Sequence, residues 1–281
     1  MLDGIRQIGI NENNVTYHDE WKYTLKYPSA DYIIVDEVQD FSMEEIELFR
    51  TKARKALLLY GDSAQQLYSF LKDKTPASIE EIIYLTKFPS EKLVFNHRLP
   101  KTIARVAEYI SPAADDLENR CRNEGTSKPK ILQYKMIEEQ LDAIVQMISN
   151  RNMEDVGVLF SANREVEYAY NYLRNNHDIQ IEAKYDNKNN KGSQSIMNLD
   201  FTSDNPKLLT YHSAKGLQFE NVFLPECACS YPDQKNALYV AMTRSYDGLY
   251  IMHSGNLSCF FDDVPSDLYD TSLEISNMIR L

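Results

Sequence analysis

The chain has 281 residues, which at about 150 residues per domain suggests two domains. Its 43% hydrophobic and 26% charged residues are ordinary for a folded globular protein and argue against disorder as the main state. A net charge of −12 argues against attachment to nucleic acid through a broad basic face, and leaves a local groove where bases could stack on some of the 19 Tyr and 11 Phe.

No apolar run approaches the roughly 18–20 residues of a membrane span. The N-terminus, Met1-Leu2-Asp3-Gly4-Ile5, lacks a basic region followed by an apolar one. The four cysteines are sparse, and Cys227 and Cys229 stand one residue apart, not at zinc-knuckle spacing. A cytoplasmic protein with free thiols and no membrane partner is the expectation.

In chain order, Asp31–Val35 is a short β-branched run that ends in Asp36 and Glu37, which reads as a buried strand with acids at its carboxyl edge. Ser42 can cap a following helix, with Glu44 and Glu45 in its first turn. Ala56–Tyr60 predicts a strand that closes on Gly61-Asp62, Ser78–Leu85 a helix, and Lys92–Phe95 another strand. Pro100 sits where a helix starts, with Ile103, Val106, Ala107 and Ile110 on one face.

The interval from Pro112 to Pro129 reads as a loop with at most a short helix. Strands are then expected at Lys130–Tyr134, Val156–Phe160, Ile179–Ala183, Leu208–Tyr211, Val222–Leu224 and Leu249–Met252. Helices are expected through Ile137–Ile148, Asn163–Asn175 and Asn236–Tyr246, with a short one in the tail near Leu273, Ile275 and Ile279. Asp186–Gly192 reads as an exposed loop. This alternation predicts α/β architecture with parallel sheets flanked by helices and ligand groups at the carboxyl ends of strands.

Five segments carry chemistry. In Val35-Asp36-Glu37-Val38-Gln39-Asp40, one acid suits a hydrated magnesium ion and its neighbour can deprotonate a water. In Gly61-Asp62-Ser63-Ala64-Gln65-Gln66-Leu67-Tyr68-Ser69-Phe70, a glutamine can read a phosphate and two rings can face a groove. Asn96-His97-Arg98 and Tyr239-Val240-Ala241-Met242-Thr243-Arg244 each supply an arginine, whose fork stays charged and binds phosphate bidentately. Thr210-Tyr211-His212-Ser213-Ala214-Lys215-Gly216-Leu217-Gln218-Phe219 joins them.

In this order the five segments resemble motifs II to VI of the UvrD/Rep-like superfamily 1 DNA helicases, over roughly residues 31 to 253. The resemblance implies RecA-like parallel sheets, one partial motor domain over residues 1–95 and one complete motor domain over 96–281, with the accessory insertion reduced to a loop near 186–206. It implies ATP and Mg2+ as ligands, with Asp36 on the metal, Glu37 as catalytic base, Gln65 as γ-phosphate sensor, and Arg98 and Arg244 on the γ-phosphate. His97, Lys215, Gly216 and Gln218 fall in the nucleotide cleft by the same analogy. Tyr68, Phe70, Asn96, Thr210 and His212 fall where the family meets single-stranded DNA.

The sequence departs from the family pattern in three respects. It contains no Gly-x-x-x-x-Gly-Lys-Ser/Thr, the loop that cradles phosphates, and only 35 residues precede Asp36. The expectation is therefore a chain that starts midway through the first motor domain and needs a P-loop half, in cis or in trans, for ATPase activity. His97 stands where large members stack a Tyr on adenine, and Gln218 where a Glu contacts the ribose. The competing reading is a non-catalytic, helicase-derived DNA-binding or regulatory subunit. A two-metal nuclease built on Asp36, Glu37, Asp40 and Asp62 would leave Arg98, Arg244 and Lys215 without a role.

Overall fold

The structure is a computed structural model, and it describes residues 28–62, 75–111, 116–186, 196–228 and 231–273, apart from the side chains at 197 and 233. These residues fall into two compact units, the first ending at Pro89 and the second beginning at Ser90.

In the first unit, β1 (Ala30–Val35) and β2 (Ala53–Leu59) pair in parallel, with Ile33 opposite Leu57 and Val35 opposite Leu59. Parallel strands need a crossover, and α1 (Met43–Lys52) supplies it. Ser42 and Glu45 form a reciprocal capping box at its start. A second capping box, Ser78 with Glu81, opens α2 (Ile79–Thr86). Val35, Val38, Ile46, Phe49, Ala77 and Ile82 bury together as the core of this unit.

Because side chains alternate along a strand, Tyr32 and Ile34 point away from that core, as do Leu58 and Tyr60. Ile34 is 68% exposed and Tyr32 62% exposed. The sequence pattern predicts a strand buried on both sides, yet among the described residues β1 is covered on one face only.

In the second unit, β3 (Asn96–Pro100) pairs in parallel with β4 (Cys121–Asn123). Between them lie α3 (Lys101–Ile110) and the short α4 (Leu117–Arg120). The main sheet has seven strands in the order β5 (Lys130–Gln133), β11 (Ser245–His253), β10 (Phe219–Leu224), β6 (Val156–Phe160), β9 (Lys207–Thr210), β7 (Glu182–Tyr185) and β8 (Ile196–Asn198). The first six run parallel and β8 is antiparallel at the edge.

Alternation along the strands builds two cores. Val156, Val158, Phe160, Phe223, Tyr250 and Met252 face α5 (Ile137–Arg151) and α6 (Asn163–Asn176). Leu159, Leu209, Val222, Leu224, Leu249 and Ile251 face α3 and α7 (Pro232–Met242). The rings of the paired residues Phe223 and Tyr250 stack at 4.5 Å. The outer edge of β5 is closed by the C-terminal segment, where Asp270 accepts from the Ile131 amide and its carboxylate pairs with the buried Lys130.

Several sequence expectations shift. Lys92–Phe95 forms no strand; Leu93, Val94 and Phe95 are exposed, and the pairing starts at Asn96. Pro100 is the N-cap of α3, not its first residue. The fourth sheet strand expected at Ile179–Ala183 lies at Glu182–Tyr185, because the Glu182 carboxylate is a buried anchor that accepts from the Asp200 amide and the Asn205 side chain. The stretch expected to be only a loop near 186–206 contains β8. Residues 187–195, most of the expected exposed loop, and the tail helix beyond Leu273 lie outside the described residues. No described helix is long and apolar enough to cross a membrane.

Candidate functional site

The acids of the first unit occupy a tight corner. At the end of β1 the chain turns through Glu37, whose backbone is left-handed (φ 53, ψ 44), into a 3-10 turn at Val38–Asp40. A non-glycine residue in that region costs free energy, so its neighbours must hold it there. The Glu37 amide donates to Asp36 Oδ1 at 2.9 Å, and the Asp40 amide returns to the Glu37 carbonyl at 2.9 Å. The Val38 amide donates to the Tyr60 carbonyl and the Tyr60 amide to Val35, both at 2.8 Å, which locks the two strand ends together. The Asp36 side chain is exposed at this tip. One exposed carboxylate suits magnesium, which keeps most of its water and binds substrate phosphate. No described cluster of three or more ligand side chains could enclose a metal by itself.

Gln39 was given no role by its place in the sequence. It is 1% exposed, and its Nε2 donates to Glu37 Oε2 while its Oε1 accepts the Asp62 amide at 3.0 Å. The two partners fix the amide orientation, since flipping it would set oxygen against carboxylate. Its neighbours Asp36, Glu37 and Asp40 are acids, so local composition does not set it apart.

In the second unit, Thr210 ends β9, and its Oγ1 accepts the Ser213 amide at 3.1 Å while its carbonyl accepts that of Ala214 at 3.0 Å. The chain then turns through Gly216, whose φ of +80 suits glycine even though a Cβ would meet nothing there. His212 is exposed on this turn, and the desolvation that surrounding protein imposes lowers its pKa from the ordinary imidazole value. Lys215 and Gln218 are half-buried on the same turn.

Arg244 follows α7 and is only 5% exposed. Its Nε donates to the Val240 carbonyl at 3.0 Å and its Nη1 to the Leu217 carbonyl at 3.4 Å, while its own carbonyl accepts the Phe219 amide at 2.9 Å. The guanidinium thus ties the Lys215–Gln218 turn to the end of α7. Arg98 and His97 are exposed on β3. Asn96 Oδ1 accepts the amides of Arg98 and Leu99, both at 3.0 Å, which shapes that strand. Gln65, Tyr68 and Phe70 lie outside the described residues.

The placement also corrects one expectation. Asp36, Glu37 and Asp62 follow the carboxyl ends of their strands, and Thr210 closes β9, as parallel-sheet topology predicts. Gln218 and Arg244 instead precede β10 and β11 and so lie at the amino ends. The cause is connectivity: a crossover helix returns the chain to where the next strand starts, and Arg244 is carried at the end of one. Asp155, Glu220 and Asp247 share that end of the sheet. Desolvation, then Asp247, Asp155 and Glu154, raises the Glu220 pKa. Burial and a hydrogen bond to Asp155 push Tyr246 up to about 12.

These features define a parallel α/β protein whose acids close one strand tip and whose buried arginine welds a turn to a crossover helix. Residues 207–252, which hold that turn and Arg244, match the UvrD-like helicase C-terminal domain family. The resemblance to UvrD-like helicases extends further along the chain. The sequence is 23% identical over 251 residues to a candidate ATP-dependent DNA helicase of Acanthamoeba polyphaga mimivirus, covering 80% of this chain and 35% of the relative. It is 26% identical over 250 residues to a protein of Mycoplasma pneumoniae named a probable DNA helicase, covering 80% and 44%. The chain therefore spans less than half the length of either relative. The crystal structure of the C-terminal domain of a possible DNA helicase from Lactobacillus plantarum superposes with a TM-score of 0.44 at 16% identity, covering 63% of this chain and 98% of that one.

Proposed function

We propose that the chain is the C-terminal portion of an ATP-dependent DNA helicase or translocase that acts on single-stranded DNA, with the P-loop supplied by another segment in cis or in trans. The observation that carries this reading is the match of residues 207–252 to the UvrD-like helicase C-terminal domain family, a stretch that holds Thr210, His212, Lys215, Gln218 and Arg244. The Arg244 bond to the Leu217 carbonyl ties two of its motif segments together in the state described. The acid corner supports the same reading: Asp36 would hold Mg2+, which would neutralise phosphate charge, and Glu37 would accept the proton of an attacking water. Arg98 and a released Arg244 would stabilise charge on the transferred phosphoryl group. Gln65, His97, Lys215, Gly216 and Gln218 would complete the nucleotide site, with Tyr68, Phe70, Thr210 and His212 toward single-stranded DNA.

Joined in frame to a Gly-x-x-x-x-Gly-Lys-Ser/Thr segment, the chain is expected to hydrolyse ATP faster when single-stranded DNA is added. Glu37→Gln should lower that turnover by about 10²–10⁴-fold, the usual worth of a general base. The chain alone should turn over negligibly. Turnover by the chain alone at the joined rate, or turnover indifferent to DNA, refutes the reading.

One observation favours a second reading. The Arg244 guanidinium already donates to the Val240 and Leu217 carbonyls, a settled structural role that a non-catalytic DNA-binding or regulatory subunit would keep. That reading requires single-stranded DNA binding that neither ATP nor a P-loop segment alters.

A further inference from the structure

The corner at the end of β1 holds a residue whose place suggests more than packing. Gln39 is buried to 1% exposure between two strand ends, and one end of its amide meets a residue two positions away while the other meets a residue 23 positions away. One partner is the Glu37 carboxylate and the other is the backbone of Asp62. A primary amide is a rigid plane, so its oxygen and nitrogen cannot move independently. Nor can the amide slide. Gly61 lies against it so closely that a Cβ there would sit 2.5 Å from Gln39 Oε1 and 2.8 Å from Val38 Cγ1. Glu37 is itself held in a left-handed backbone, and Gln39 Nε2 adds a contact to its side chain.

We propose that Gln39 is a positioning residue that couples the Glu37 carboxylate to the backbone at Gly61–Asp62, so that a displacement of the chain leaving β2 re-aims the carboxylate. The proposal rests on the reading of Glu37 as the base that takes a proton from water. It deepens that reading by naming how the base is switched. With Asp62 seated, Nε2 holds one carboxylate oxygen and fixes the aim of the group. With Asp62 displaced, the amide follows its N–H or loses it, and the carboxylate loses its fixed aim. Gln39 touches no reacting atom in this scheme.

Two measurements test it. In the chain as it stands, Gln39→Leu should speed hydrogen exchange of the Asp62 amide at least tenfold, while exchange at Ile46 and Phe49 in α1 stays within about twofold, since one hydrogen bond is worth about a factor of ten. Unchanged exchange at Asp62, or loss of protection throughout α1, overturns the coupling. In the chain joined to a P-loop segment, Gln39→Leu should lower kcat about 10–100-fold with the KM for ATP within twofold, a part of what a general base contributes. An unchanged kcat, or a loss carried wholly by KM, overturns the positioning role. If the joined wild-type chain hydrolyses no ATP, the reading of Glu37 fails, and the exchange experiment still decides whether Gln39 couples the two strand ends.

Discussion

Gly157 offers a sharp test of how the second unit is packed. It lies in the middle of β6, whose five residues are all buried, between β10 and β9. A Cβ at this position would sit 2.5 Å from Cδ2 of Phe219 and 2.7 Å from its Cγ. Ordinary contact begins near 3.4 Å, so the ring must retreat by about 0.9 Å, and it is only 1% exposed in a core with density near that of organic crystals. Retreat at the ring root cannot be met by swinging a flexible tip. Overpacking of this kind costs about 1–3 kcal/mol, and the upper half of that range applies because the ring is enclosed. Against it stand about 0.8 kcal/mol from one more buried methyl and about 0.4–1 kcal/mol from a stiffer unfolded chain.

Gly157→Ala should therefore lose about 1 kcal/mol in urea unfolding followed by far-UV circular dichroism. Phe219→Ala removes Cγ and the ring, and in its background the same substitution should be neutral or stabilising. The coupling between the two positions should reach about 1 kcal/mol or more, as for residues in direct contact. Equal costs of Gly157→Ala in both backgrounds would refute the packing argument.

Three further outcomes are expected. Asn96→Ala should cost about 1–2 kcal/mol, because two backbone amides lose a common acceptor, while Asn96→Asp should cost under about 0.5 kcal/mol; an equal loss in both, by urea titration, would count against the cap. Iodoacetamide at pH 8 should label the exposed Cys259 well before Cys121, since burial raises the Cys121 thiol to about 11 and leaves it protonated below that pH; mass spectrometry of tryptic peptides showing Cys121 labelled first would contradict this. Ile34→Lys should change stability by no more than about 0.5 kcal/mol and should reduce concentration-dependent association in sedimentation velocity, because Ile34 sits among exposed apolar neighbours; a large stability loss would mean the face is covered.

Much of the architecture was legible from local pattern. Val156–Phe160 was read to the residue because five apolar residues between polar flanks leave one interpretation. Ser42 with Glu45 and Ser78 with Glu81 announced two helix starts, since a capping box is written wholly within four residues. The misreadings arose where distant partners decide. Leu93, Val94 and Phe95 have strand propensity but no strand beside them, whereas polar Asn96–Pro100 pairs with β4 because Asn96 shapes its backbone and Asn123 donates to the Arg98 carbonyl. Glu182 was read inside a strand ending at Ala183, and it is in fact a buried hub where β7 starts. At the candidate site the motif residues were found by type and order. The welding of Arg244 to Leu217 and the bridging by Gln39 were not, because both are tertiary contacts across 23 residues or more.

The acids gathered where β6, β10 and β11 begin bear on how this end of the second unit behaves in solution. Asp155, Glu220 and Asp247 gather there, where desolvation and then the neighbouring acids raise the Glu220 pKa, and Arg244, at the same end, lends its guanidinium to backbone carbonyls. A polyanion approaching from that side meets repulsion, and dissolved ions screen repulsion as well as attraction, over about 8 Å at physiological ionic strength. Ordinary nucleic-acid binders weaken steeply as salt is added. Contacts made at this end would instead gain from added salt, so the ionic-strength slope of binding separates the acidic end of the sheet from the Thr210 end.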